Sequence, residues 1–140
     1  MKKIDFEAHF FTQEYVKALY NNKGYPRYVE DPKSGRRRCL YAENVYESHG
    51  DALLEKLLDH SSGRLKLMDE AGMDVQVLSR SAPGVERFDA AKGTALARST
   101  NDELSGIIKK HPDRFLGFCA LAPQDPDSAV AELERAIKEL

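Results

Sequence analysis

Tryptophan is absent, and cysteine occurs only at Cys39 and Cys119 in a chain of 140 residues. Two thiols so far apart make no disulfide framework, so the expected compartment is a reducing cytoplasm. No apolar run is long enough to span a bilayer, and Met1-Lys2-Lys3-Ile4-Asp5 turns acidic before a signal-peptide core could form. No membrane partner is expected. Neither charge sign dominates: 21 Lys+Arg against 23 Asp+Glu leave a net charge of −2, without the basic excess of a nucleic-acid binder. Also missing are a glycine-rich phosphate loop, Cys-x-x-Cys and Gly-x-Ser-x-Gly, so nucleotide, redox and serine-hydrolase chemistry lack their usual signatures. What is present is ordinary for a folded domain, with 41% hydrophobic and 31% charged residues. The length fits one domain, residues 1–140.

Periodicity gives the order of elements. Lys3 to Phe10 alternates, with Ile4, Phe6, Ala8 and Phe10 on one face and Asp5, Glu7 and His9 on the other, which predicts a strand. If that strand lines a cleft or barrel, three ionisable groups converge. Thr12 caps a short helix with Tyr15, Val16 and Leu19 as its stripe. Residues 21–50 lose periodicity and predict an excursion or lid too long for a plain connector. Helical spacing returns at Leu53–Leu58 and Leu65–Ala71, with Gly72 at the C′ position. Asp74–Ser79 and Phe115–Leu121 read as buried strands. The clearest helix, 89–110, starts at Asp89 and stops at His111-Pro112; Asp125-Pro126 opens the last one. Strands alternating with helices predict an α/β fold with a parallel sheet.

Glu7-Ala8-His9 is the main chemical signal. Residues i and i+2 of a strand share a face, so a carboxylate and an imidazole can reach one Zn2+ or Mn2+. Taken alone, the pattern equally suits a hydrogen-bonded histidine at a strand end, and two ligands do not complete a site. His111 reads as a helix-end dipole partner and His60 as a solvated turn residue. His49 lies at the end of the excursion, where it is either a surface residue or a ligand contact. Arg36-Arg37-Arg38 reads as a wet loop, an anion gate or, with the interleaved tyrosines, an oligomer contact. Cys119 is expected as inert core. Ser79 and Arg80 follow the second strand of the α/β pattern, on the side where parallel barrels place their active sites.

Several blocks, in order, carry a resemblance. Arg64-Leu65-Lys66-Leu67-Met68-Asp69-Glu70-Ala71-Gly72-Met73-Asp74-Val75-Gln76-Val77-Leu78-Ser79 resembles the amidohydrolase-related, metal-dependent decarboxylases. So do Ala82-Pro83-Gly84-Val85, Asn101-Asp102-Glu103-Leu104, His111-Pro112-Asp113-Arg114-Phe115 and Ala122-Pro123-Gln124-Asp125-Pro126. The similarity runs over residues 3–20 and 50–140, and the excursion at 21–49 matches no known pattern. The resemblance implies the N-terminal portion, about three βα units, of a (β/α)8 TIM barrel of the metal-dependent hydrolase type. It makes Glu7 and His9 metal ligands for Zn2+ or Mn2+; Phe11, Ser79, Arg80 and His49 stand as candidate substrate contacts, with no motif behind them.

The activity implied is non-oxidative decarboxylation of an aromatic hydroxy-carboxylate such as a dihydroxybenzoate. The alternatives are a hydrolase or hydratase on the same barrel, or a catalytically incompetent fragment. A homo-oligomer is implied as well. A full barrel takes about 250 residues, so the domain is expected to be incomplete. Its remaining ligands and the acidic Asp would lie beyond Leu140, and the chain by itself would show no turnover.

Overall fold

The computed structural model describes residues 1–47 and 50–140. In chain order these form β1 (Ile4–His9), α1 (Gln13–Asn21), β2 (Arg27–Glu30), β3 (Arg37–Ala42) and β4 (Val45–Glu47). There follow α2 (Asp51–Leu58), α3 (Ser62–Glu70), β5 (Val75–Ser79), α4 (Ala90–Lys110), β6 (Phe115–Gly117) and α5 (Pro126–Glu139). β1, β5 and β6 make a parallel sheet in the order β1-β5-β6, as the alternation of strands and helices predicts. Parallel neighbours need a crossover, and α4 supplies the one between β5 and β6.

Local chemistry sets the helix ends. Thr12 Oγ1 accepts the Tyr15 amide at 3.1 Å, Asp89 accepts Lys92 N at 2.9 Å, and Asp125 accepts Ser128 N at 3.2 Å. Gly72 follows α3 with φ +62°, a conformation that costs glycine nothing. The core lies in two clusters. One, under the sheet, joins Ala8, Phe10, Leu78 and Phe115 to Met68, Leu104 and Ile107 of the helices. The other packs α1 against Tyr28, Cys39, Phe88 and Leu96.

The excursion holds regular structure that the sequence pattern hides. β2, β3 and β4 form an antiparallel sheet, with Tyr28 opposite Cys39 and both buried on α1. Between β2 and β3, Asp31 Oδ1 accepts the amides of Lys33 (2.8 Å) and Ser34 (2.9 Å), which hold its carboxyl below the usual range. The expectation for Arg36-Arg37-Arg38 is corrected in part. Arg37 and Arg38 are strand residues, Arg37 pairing with Asp51 at 2.8 Å and Arg38 with Asp31.

Candidate metal and substrate site

β1 points its C-terminal end at the same edge of the sheet as β5 and β6, and its last residue is His9. The pairing runs Ile4 with Val75 and Asp5 with Gln76, then Ala8 with Leu78 and His9 with Ser79. Three steps along β1 therefore match two along β5, which places a bulge at residues 6 and 7. The bulge breaks the predicted alternation. Asp5 shares the face of Gln76, whose Nε2 donates to it at 3.1 Å, so the expected convergence of Asp5 with His9 does not occur. Glu7, exposed, directly precedes the buried Ala8, and His9 directly follows it.

His9 Nδ1 lies 3.3 Å from Ser79 Oγ across the paired register. With Nδ1–H donating to the hydroxyl, Nε2 keeps its lone pair, the arrangement a metal-bound histidine needs. One carboxylate and one imidazole suit Mn2+ or Zn2+ chemically. Among the described residues no group of three or more His, Cys, Asp or Glu side chains is placed to hold an ion, so this chain offers part of a donor set.

Beyond His9 the chain is tied to several elements. Phe10 N donates to Ser79 O at 3.2 Å and Phe11 N to Leu57 O at 2.8 Å. Arg64 Nη2 donates to His9 O at 2.8 Å, and Arg80 Nη1 to Phe10 O at 3.1 Å. Arg80 lies over the Tyr15 ring at 3.6 Å and the Phe11 ring at 4.3 Å, and burial pushes its guanidinium downward. Burial likewise pushes the Tyr15 phenol up to about 12, and its hydroxyl donates to Pro83 O.

A cleft of about 290 Å³ opens at the ends of β5 and β6. Ser79, Arg80 and Ser81 line one wall; Phe118, Cys119 and Ala120 line the other. The second wall is an extended segment rather than the predicted strand. Asn101 intercepts it: Ala120 N donates to Asn101 Oδ1 at 2.7 Å, and Asn101 Nδ2 donates to Ala120 O at 3.0 Å. A side-chain amide thus replaces a ladder neighbour, and β6 stops at Gly117. Asn101 Nδ2 also donates to Glu132 at 2.8 Å, and Arg135 clamps that carboxylate through Nε and Nη2, each at 2.8 Å. Gln124 Nε2 donates to Val85 O and Phe88 O at 3.0 and 3.2 Å, tying the two walls together. Gly93 is needed beneath them, because a Cβ there would stand 2.7 Å from Val85 O.

The structure thus brings Ser79 to His9 and Phe11 to Arg80. Phe11 is only 3% exposed, packed in the core away from the cleft lining. His49 lies outside the described residues. Cys119 is not strand core: it lines the cleft half-buried, its thiol pushed up by burial. His60 is not solvated either, since its Nε2 lies 3.2 Å from Leu57 O and its ring meets Phe10 edge-on. Arg64, Gln76 and Asn101 were not singled out in the sequence. The only signal for Arg64 and Asn101 was that each opens a block of the resemblance.

A parallel α/β sheet with ionisable side chains gathered at the C-terminal ends of its strands defines the class. Within it, the family described as amidohydrolase matches residues 4–140, and the chain belongs to that family. It is 36% identical over 139 residues to a gamma-resorcylate decarboxylase of Polaromonas sp. (strain JS666), covering 99% of this chain and 36% of that protein. Among solved structures, 5-carboxyvanillate decarboxylase from Sphingomonas paucimobilis superimposes with a TM-score of 0.78 at 34% identity, over 99% of this chain and 40% of that one. A dihydroxybenzoic acid decarboxylase from Polaromonas sp. JS666, with bound manganese and the inhibitor 2-nitroresorcinol, gives 0.70 at 35%, over 99% and 35%. The chain therefore spans well under half the length of these relatives.

Proposed function

We propose that this chain carries the first part of the metal site of a non-oxidative decarboxylase acting on an aromatic hydroxy-carboxylate. The architecture proposed is the first three βα units of a (β/α)8 barrel. Ile4 and Leu116, exposed on the face away from the helices, support it, because apolar side chains line the interior of such a barrel. The observation that carries the function is the His9–Ser79 contact, which fixes the imidazole and leaves Nε2 free for an ion. Glu7 adds a carboxylate from the same strand. A divalent ion held there supplies the positive charge that binds substrate oxygens and stabilises charge as the carbon–carbon bond breaks. Ser79 orients His9, and the cleft between Arg80 and Phe118 receives the ring. Further ligands and the acid that protonates the ring belong to the part of the barrel that this chain does not span. The same reading makes residues 21–50 a lid and the enzyme a cytoplasmic homo-oligomer.

In a chain of its relatives' length, which supplies the remaining ligands, counting the bound ion after loading with Mn2+ and dialysis tests the site. Retention by the wild type, with loss in both Glu7→Ala and His9→Ala, supports it. Equal retention in both variants, or none in the wild type, removes it. In a chain of its relatives' length, CO2 release from 2,6-dihydroxybenzoate or 5-carboxyvanillate supports decarboxylation, whereas ring hydration or hydrolysis without CO2 assigns the hydratase or hydrolase alternative.

A further inference from the structure

His9 is the last residue of β1, two positions past the bulge. Only Ala8, paired with Leu78, separates it from the bulge, and beyond it the ladder to β5 ends with the Phe10 N–Ser79 O bond, so only a short paired stretch on either side fixes its backbone. A metal ligand needs its position held within a few tenths of an ångström. We infer that Arg64 and Arg80 are positioning residues that lock the exit of β1, each by holding one backbone carbonyl, and so fix where the His9 imidazole stands. The inference rests on the metal reading for its purpose, though its geometry stands independently.

Arg64 is a strut with every arm engaged. Its Nη2 donates to His9 O (2.8 Å) and Lys56 O (3.0 Å), its Nε to Asp59 O (2.8 Å) and its Nη1 to Gln76 Oε1 (3.2 Å). Gln76 in turn donates to Asp5 on the far side of the bulge. Through Gln76, one guanidinium therefore links His9, beyond the bulge, to Asp5, before it. Arg80 acts from the end of β5. It holds Phe10 O and, at 3.3 Å, Pro83 O, while the Tyr15 and Phe11 rings fix its plane. The geometry calls for arginine, because a planar fork donates in several fixed directions where an ammonium offers a single point. Neither side chain needs to touch a substrate for this role. The Arg80 Nε, buried without a partner, is the only arm of the pair left over.

Two measurements test it, in a chain of its relatives' length that supplies the remaining ligands, with Arg64→Met, Arg80→Met and Arg64→Lys. The amides of Phe10 and Phe11 report the exit directly, since each donates a backbone hydrogen bond there. Both Met variants are expected to speed exchange at these two amides at least tenfold while the α4 amides keep their wild-type rates. Both should also weaken Mn2+ binding, measured by chelator competition, by about tenfold or more, the usual cost of losing a group behind a ligand. Arg64→Lys, restoring one donor, should recover part of each. Exchange that rises equally throughout the fold would make the arginines general supports and overturn the inference. So would fast Phe10 and Phe11 exchange with unchanged Mn2+ affinity. If the wild type binds no Mn2+, the metal reading fails, and the exchange pattern alone then decides the lock.

Discussion

The two faces of the β1-β5-β6 sheet come from the same three short strands and behave as different materials. Toward the helices, Ala8, Phe10, Leu78 and Phe115 are buried against α3 and α4, and Gly117 is pressed so close that an added Cβ would stand 2.6 Å from Leu104. On the other face Ile4 and Leu116 are exposed although they are just as apolar, their partners Val75 and Val77 are buried, and His9 pairs with Ser79 at the C-terminal end of the strands. Strands of a parallel sheet are apolar on both sides because both sides are normally covered. The helix-covered face stores stability. The open face carries His9 and Ser79, and Ile4 and Leu116, half in water, contribute less than its buried Val75 and Val77 to holding these 140 residues together.

The sharpest way to break this contrast is on the covered face. Leu78, 0% exposed at the centre of the sheet, should lose about 2–5 kcal/mol of stability as Leu78→Ala, through lost burial and the cavity left behind. Denaturant midpoints measure it. A loss below about 1 kcal/mol would mean that α3 and α4 do not pack as a fixed layer.

Much of that layer is legible from sequence because periodicity and capping are local. Thr12, Asp89, Asp125-Pro126 and Gly72 mark their helix ends in the structure as the residue types require. What is not legible depends on groups distant in the chain. The bulge that turns Asp5 away from His9 shows only in the register against β5. Beyond the end of β6, Asn101, on α4, takes both polar groups of the Ala120 backbone. The meander at 27–47 is hidden because buried Tyr28 and Cys39 sit among charged neighbours whose partners, Asp31 and Asp51, lie outside the strands. In the site, the pairing of His9 with Ser79 joins two residues chosen separately, whereas Arg64 acts from 55 positions away.

Asn101 gives the next test, since it links the covered layer to the cleft wall. Asn101→Ala leaves the Ala120 N–H and C=O without the partner that satisfies them, while the Glu132 oxygen it also reaches keeps Arg135. The expected cost is about 2–3 kcal/mol, the range for buried polar groups stripped of their bonds. Faster hydrogen exchange at Ala120 should accompany it. A variant as stable as the wild type would show that water replaces the amide and that the wall is not held from α4.

The smallest effect belongs to the open face. Leu116 neighbours Val77 in the sheet on the side away from the helices, and it is 51% exposed. Leu116→Gln removes apolar surface that is already half in water, so stability should stay within about 0.5 kcal/mol of the wild type. This pairs with Leu78→Ala as a direct comparison of the two sides of one sheet by the same denaturant measurement. A loss approaching that of Leu78→Ala would mean that something covers Leu116 in solution. Repeating the measurement across protein concentrations then separates the causes: a midpoint that rises with concentration assigns the cover to a second copy, and a constant one assigns it to a rearrangement within the chain.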